Sequence, residues 1–327
     1  AALYITVSHL DAADDSQLGF TSNRNNVAPS SDVPATWTST KLEKWRCGLG
    51  TQTNGSPVVA GGKIFIGTNN GGGYLTRFPR QVDLGVLLCI DEATGKLLWQ
   101  YCCEKLPTGK VHDWPEMGIC STPLVEGDRL WFVSSRGEVV CLDAEGFRDK
   151  KNDGPTIDEE FTGGLEADVI WQLDMMSELG VQQHNMANCS VTAVGNTLLV
   201  FTSNGVDRSH NQVAVSDAPS FIGIDKCTGR VIWKDNSPGD NILHGQWSSP
   251  AVAMTGDVTQ AIFAGGDGWL YSFDPQGDGQ GRAKLLWIFD CNSKVSRWID
   301  GHRGERNNII ATPVVHGQHV YVATGRD

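Results

Sequence analysis

The sequence predicts an all-β fold, a β-propeller of four-stranded blades, and three observations carry that prediction. A tryptophan phrase recurs five times along the 327 residues, the same ordered landmarks follow each recurrence, and the apolar runs between them are short and bounded by turn residues. Self-similarity at such a period is the signature of a repeat architecture.

The phrases are Lys44-Trp45, Leu98-Trp99, Ile170-Trp171, Ile232-Trp233 and Leu286-Trp287, at intervals from 54 (99−45) to 72 (171−99) residues. A small-hydroxyl step follows each one: Ser56-Pro57, Thr122-Pro123, Ser190-Val191, Ser249-Pro250 and Thr312-Pro313. Then comes a β-branched or aromatic run, as in Lys63–Gly67, Arg129–Val133, Leu198–Phe201, Ala261–Ala264 and His319–Val322. A last run ends in Asp91, Asp143, Asp225 or Asp274, and two of these lead into Thr94-Gly95 and Thr228-Gly229 turns. Each unit therefore reads as four short strands joined by Gly, Asp and Asn turns. A single such sheet leaves apolar faces uncovered, so it must stack on its like, and radial stacking makes a propeller. A blade takes about 40–50 residues, so the longer intervals carry insertions. A sandwich would need fifteen landmarks to agree by coincidence.

Composition narrows the function. The net charge is −12 and no basic run is longer than Lys150-Lys151, so the footprint of a nucleic-acid or anionic-membrane binder is missing. The longest apolar stretches, such as Val86–Ile90, fall far short of the roughly 18–20 residues of a membrane span. Nine cysteines, an odd number, lie without CxxC or CxxCH spacing, so at least one is free or pairs with another chain. The chain starts at Ala1 with no Met and no signal peptide, as expected either of a mature exported protein or of a fragment. No nucleophile elbow, phosphate-binding loop, HExxH or dinucleotide fingerprint is found.

Ala93-Thr94-Gly95-Lys96-Leu97-Leu98-Trp99, with Ser56-Pro57-Val58-Val59 and Lys63-Ile64-Phe65-Ile66-Gly67-Thr68, resembles the PQQ-like repeat. Quinoprotein alcohol dehydrogenases share that repeat with the exported propeller lipoprotein of the outer-membrane β-barrel assembly machinery. The resemblance runs from about Trp37 to Asp327 and divides the chain into an N-terminal strand and loop, 1–34, and a propeller, 35–327. It implies seven or eight blades in a full-length protein, a chain incomplete at its C-terminus, a periplasmic or otherwise exported location, and tryptophans docked between blades. Leu3–Val7 would supply one strand of a shared blade.

Five and six residues before each hydroxyl step lie Gly50 and Thr51, Glu116 and Met117, His184 and Asn185, Leu243 and His244, and Arg306 and Asn307. Repeat symmetry sends these positions to one mouth of the channel, joined there by His112, Asp113, Asn188, Gln246, Trp247, His302, Arg303 and Asn308, while Trp114 and Trp247 could stack on a planar ligand or pack between blades. Such a ring suits a polar or anionic ligand or a protein partner; the plainer alternative is a set of groups that satisfy one another. The resemblance also implies that adjacent Cys102 and Cys103 could form the vicinal disulfide that lies against PQQ in the dehydrogenases, although two packed thiols would look the same in sequence. Asp149, Asp153, Gly154 and Glu160 fall at positions 1, 5, 6 and 12 of a calcium loop, with Lys151 misplaced at position 3. Two functions follow: a non-catalytic exported propeller that binds at its channel mouth, or a PQQ-dependent alcohol or sugar dehydrogenase that uses a divalent cation.

Overall fold

The computed structural model describes residues 16–27, 36, 43–297 and 305–325. The proposed strand Leu3–Val7, His302 and Arg303 lie outside these residues. The first sheet is β1 (Val58–Ala60), β2 (Lys63–Asn69), β3 (Leu84–Asp91) and β4 (Leu97–Glu104); the second is β5 (Leu124–Glu126), β6 (Arg129–Val133), β7 (Glu138–Asp143) and β8 (Val169–Asp174). A short helix, α1 (Met175–Leu179), capped by Asp174, follows β8. The third sheet is β9 (Thr192–Val194), β10 (Thr197–Phe201), β11 (Phe221–Asp225) and β12 (Val231–Asp235). The fourth is β13 (Ala251–Thr255), β14 (Val258–Ala264), β15 (Trp269–Asp274) and β16 (Lys284–Asp290), and β17 (Val314–His316) pairs with β18 (His319–Tyr321) as the start of a fifth. Every pairing is antiparallel between chain neighbours, and the first strands contact one another around the axis, β1 on β5, β9 on β13 and β13 on β17. This is a β-propeller of PQQ-like type.

The landmarks of the repeat are parts of two contacts between sheets. In each sheet the pairing of the third and fourth strands slips by one residue, so that Leu98, Ile170, Ile232 or Leu286 is bulged immediately before its tryptophan. A bulge re-aims the side chain beside it. The re-aimed indole points at the next sheet: Trp99 Nε1 donates to Ala144 O (3.1 Å), Trp171 to Lys226 O (3.2 Å) and Trp233 to Pro275 O (2.8 Å), while Trp45 reaches Glu92 O (2.8 Å) in the first sheet. Each acceptor is the residue after the strand-ending Asp, so the Trp of one repeat and the Asp of the next mark the two ends of one bond. The ring then lies flat on a glycine. A Cβ built on Gly229, at φ +73°, would sit 2.6 Å from Trp171 Cε3, and Gly95, Gly146 and Gly277 meet Trp45, Trp99 and Trp233 in the same way.

Burial of the five indoles is uneven. Trp99, Trp171 and Trp233 are buried, whereas Trp45 and Trp287 are half-buried. Trp287 lies on the fourth sheet, and among the described residues the two strands that follow it include no turn to receive its N–H; it donates instead to Gln260 Oε1 within its own sheet.

The hydroxyl step makes the second contact. Ser56 N–H donates to Thr122 Oγ1 (2.8 Å), Thr122 N–H to Ser190 Oγ (2.9 Å) and Ser190 N–H to Ser249 Oγ (2.9 Å). The hydroxyl therefore serves the backbone of the preceding repeat, forming a relay around the axis where β-strands of different sheets cannot pair. A buried amide must find an acceptor, and a short side chain at a fixed place is the one within reach.

Residues 16–24 run across the inner ends of several sheets. Val125, Val252 and Val315, at equivalent places on β5, β13 and β17, donate their N–H groups to Ser16 O, Ser22 O and Asn23 O. Arg24 is 2% exposed and donates to Leu18 O, Ser190 O, Val191 O and Pro250 O at 2.7–3.0 Å. Burial without a carboxylate lowers its pKa to about 10, and the carbonyl set holds the charge.

Candidate functional site

The segments that lead into β5, β9 and β13 converge at one end of the axis on a cavity of ≈ 630 Å³. Its wall is Thr108, Lys110, Val111 and Trp114 from before β5, His184 and Asn185 from before β9, His244 from before β13, and Arg208 and His210 from the loop between β10 and β11. Among the described residues no carboxylate lines it.

Three imidazoles dominate the floor. The ring centroids of His184 and His244 are 4.4 Å apart, those of His184 and His210 4.7 Å, and those of His210 and His244 4.8 Å. Val206 ties two of them together: its N–H donates to His244 O (2.8 Å), and its carbonyl accepts from His184 Nδ1 (2.8 Å). Gly205 lies so close that a Cβ would fall 2.6 Å from His184 Cβ and 2.7 Å from His244 O. Asp207 closes the loop that carries His210, accepting from the Ser209 amide and hydroxyl and from Gln212 Nε2. His210 itself is exposed, at φ +60°. Trp247 seals the side of the cluster, its ring 5.0 Å from that of His244 and its Nε1 donating to His184 O (3.1 Å). At the rim, the Lys110 ammonium sits 4.8 Å over the Trp114 ring.

The expected ring of polar groups is thus divided. His184, Asn185 and His244 meet in this cavity, with Trp247 behind them. His112 is half-buried, its Nδ1 3.1 Å from Thr108 Oγ1, and burial lowers its pKa. Glu116 lines a separate cavity of ≈ 290 Å³ with Thr51 and Asp83. Arg306 lines a third, of ≈ 390 Å³, and is paired with Asp290 at 2.7 and 3.3 Å. Asn307 is held by its backbone to Asn292. Gln246 is buried, donating to Asn204 O and Ser220 Oγ, so it braces the third sheet against the segment before the fourth. Asp113 is buried against Lys105, and Asn188 is half-buried ahead of Ser190.

Cys102 and Cys103 form no vicinal disulfide. Both thiols are free. Consecutive residues of a strand face opposite ways, and β4 sends Cys102 to the apolar cluster of Leu84 and Val86 and Cys103 to that of Trp99 and Phe132. Burial pushes the Cys102 thiol up to about 11 and the Cys103 thiol higher still, so neither is a ready nucleophile. Nor do Asp149, Asp153 and Glu160 make an ion-binding loop. Lys151 folds back onto Asp149 at 2.9 Å, and among the described residues Asp149, Asp153 and Glu160 are not part of any group close enough to share an ion.

Lys110, Arg208 and His210 escaped the sequence reading, because alignment on the hydroxyl step looks only at the approach to the first strand. Arg208 and His210 lie in the long interval between Trp171 and Trp233, and that insertion was the available signal.

The model of the family described as outer membrane protein assembly factor BamB matches residues 11–327. The chain belongs to this PQQ-like repeat family. No curated protein matches the sequence at significant similarity. Among solved structures, quinohemoprotein alcohol dehydrogenase from Comamonas testosteroni is similar, with TM-score 0.55 and 11% identity, over 93% of this chain and 44% of that one. Quinohemoprotein alcohol dehydrogenase ADHIIG from Pseudomonas putida HK5 gives TM-score 0.52 and 9% identity, over 95% and 44%. BamB from Moraxella catarrhalis gives TM-score 0.43 and 14% identity, over 83% and 55%. The chain thus spans about half the length of each, and at these identities the likeness is one of fold. No helix among the described residues is long and apolar enough to cross a membrane.

Proposed function

We propose that the protein is an exported, non-catalytic PQQ-like propeller that captures a carboxylate-bearing ligand or protein partner at its channel mouth. One observation carries this reading: a ≈ 630 Å³ cavity walled by Lys110, Arg208, three imidazoles and an indole, with no acidic side chain among the described residues that line it, in a chain of net charge −12. A concavity of one sign focuses the opposite charge. Arg208 offers a planar fork to a carboxylate, Lys110 a point charge, and Trp114 a flat apolar face. The family description, an outer-membrane assembly factor, favours export to the periplasm and a protein partner.

The dehydrogenase alternative is less well supported. Free thiols on opposite faces of an outer strand do not fit a disulfide that clamps PQQ, and the carboxylates proposed for calcium stand apart.

The test is a tryptophan-emission titration with aromatic carboxylates, peptides ending in a free carboxylate, and PQQ, repeated with Arg208→Glu. Saturable binding that weakens with salt and falls about 10–100-fold in the variant is expected, the range of one charge-assisted hydrogen bond. Absence of binding across the panel, or equal affinity in the variant, overturns the proposal. Binding of PQQ alone, with dye-linked alcohol oxidation, would install the alternative.

A further inference from the structure

We propose that His184, His210 and His244 form a three-imidazole site for a first-row transition-metal dication, zinc, cobalt or copper, with its open coordination position facing the channel-mouth cavity. One ligand nitrogen from each of the three lies within 4.8 Å of the others, the one such group of three among the described residues. Three imidazoles are a donor set that suits zinc, copper, nickel and iron rather than calcium or magnesium.

The protein prepares the ligands in the way metal sites require. A metal-bound imidazole donates its other N–H to a backbone carbonyl or carboxylate, which fixes tautomer and ring orientation. His184 does this: a carbonyl can only accept, so the 2.8 Å contact of Nδ1 with Val206 O puts the proton on Nδ1 and leaves the lone pair on Nε2. The His244 backbone accepts from the same Val206, so two of the three ligands share one anchor. Metal–nitrogen bonds of about 2.0–2.1 Å in a tetrahedron put neighbouring donors about 3.3 Å apart. The set must therefore contract modestly. His244 and His184 are buried at 8% and 1% exposure, so the adjustment belongs to the exposed His210 on its loop. A non-glycine residue at φ +60° is costly unless its surroundings require it, and such residues cluster at ligand sites.

Three neutral ligands leave a dication's charge uncompensated, and Lys110 and Arg208 add to it. The fourth position is therefore expected to hold an anion, drawn from the cavity side, where an arriving carboxylate would find it. Metal capture rests on the histidine geometry alone, and the carboxylate titration above reads the cavity separately.

The full chain, stripped with a chelator, is titrated with cobalt(II) chloride while visible absorption is followed, and with zinc chloride by calorimetry. One equivalent should bind, with the intense d–d bands of tetrahedral cobalt and no thiolate charge-transfer band. His210→Ala changes an exposed loop residue and should keep the wild-type circular dichroism. It should lose more affinity than the roughly 10–100-fold that removal of an outer-shell partner costs. No stoichiometric uptake, thiolate bands that place the metal on cysteine, or equal affinity in a folded His210→Ala protein would each overturn the proposal.

Discussion

Replacing Gly229 by alanine tests whether an indole laid on a bare backbone is what joins one blade to the next. Two costs add. Gly229 sits at φ +73°, where an L-residue loses about 1–2 kcal/mol. Its new methyl would meet Trp171 Cε3 at 2.6 Å and Cδ2 at 2.8 Å, and forcing a side chain into such a site costs about 1–3 kcal/mol. The total is about 2–5 kcal/mol. Gly195 separates the terms: it lies in the same sheet at φ +58°, with nothing within 4 Å of an added Cβ. Gly195→Ala should lose only the backbone part, about 1–2 kcal/mol. Urea midpoints followed by tryptophan emission and by circular dichroism give both values, and the Trp171 band should shift in the Gly229 variant alone. Equal losses in the two variants would refute the idea that the Trp–Gly contact is what the repeat preserves.

Other outcomes follow from the same geometry. Ser190→Ala deletes the acceptor of the Thr122 amide and should cost about 1–3 kcal/mol in denaturant melts, the penalty of an orphaned buried N–H. Asp267 is 3% exposed, and burial raises its pKa from 3.8 to about 6 despite the hydroxyl that Tyr271 donates. Its favourable contribution is therefore complete below about pH 3.8 and lost as pH rises through 6; Asp267→Asn should gain on wild type by about 2–3 kcal/mol between urea melts at pH 4 and pH 7. Cys227 is the exposed thiol of the nine and Cys47, Cys102, Cys120 and Cys291 are half-buried, so Ellman's reagent should give one fastest equivalent in native protein, absent from Cys227→Ser, with Cys89, Cys103, Cys141 and Cys189 reacting only in denaturant.

The architecture was legible because the residues that make it recur. Trp99, Trp171 and Trp233 signal themselves by rarity, and their partners, the strand-ending Asp residues and the Gly turns, stand at nearly constant distances. The sequence could not say that these landmarks bond to one another across sheets, since the partners are 42 to 55 residues apart. The channel mouth was legible in part. His184 and His244 came from repeat symmetry because both precede a hydroxyl step. His210 and Arg208 sit on the connection between β10 and β11, residues 202–220, which differs in length from the equivalent connection of every other four-stranded sheet, so symmetry says nothing there. Arg306 occupies the symmetric place but is drawn away by Asp290, a local partner that an alignment of positions cannot see.

The stretch that holds Arg24 has a consequence for the order of events during synthesis. It leaves the ribosome before all of these partners: Val125, Val252 and Val315 are spread over the next three hundred residues, and its guanidinium waits for Pro250, 226 positions downstream. Blades joined only to their neighbours could ripen one after another, each melting on its own. A segment that bonds to β5, β13 and β17 at once couples these sheets, at the expense of a slow step set by long-range contact.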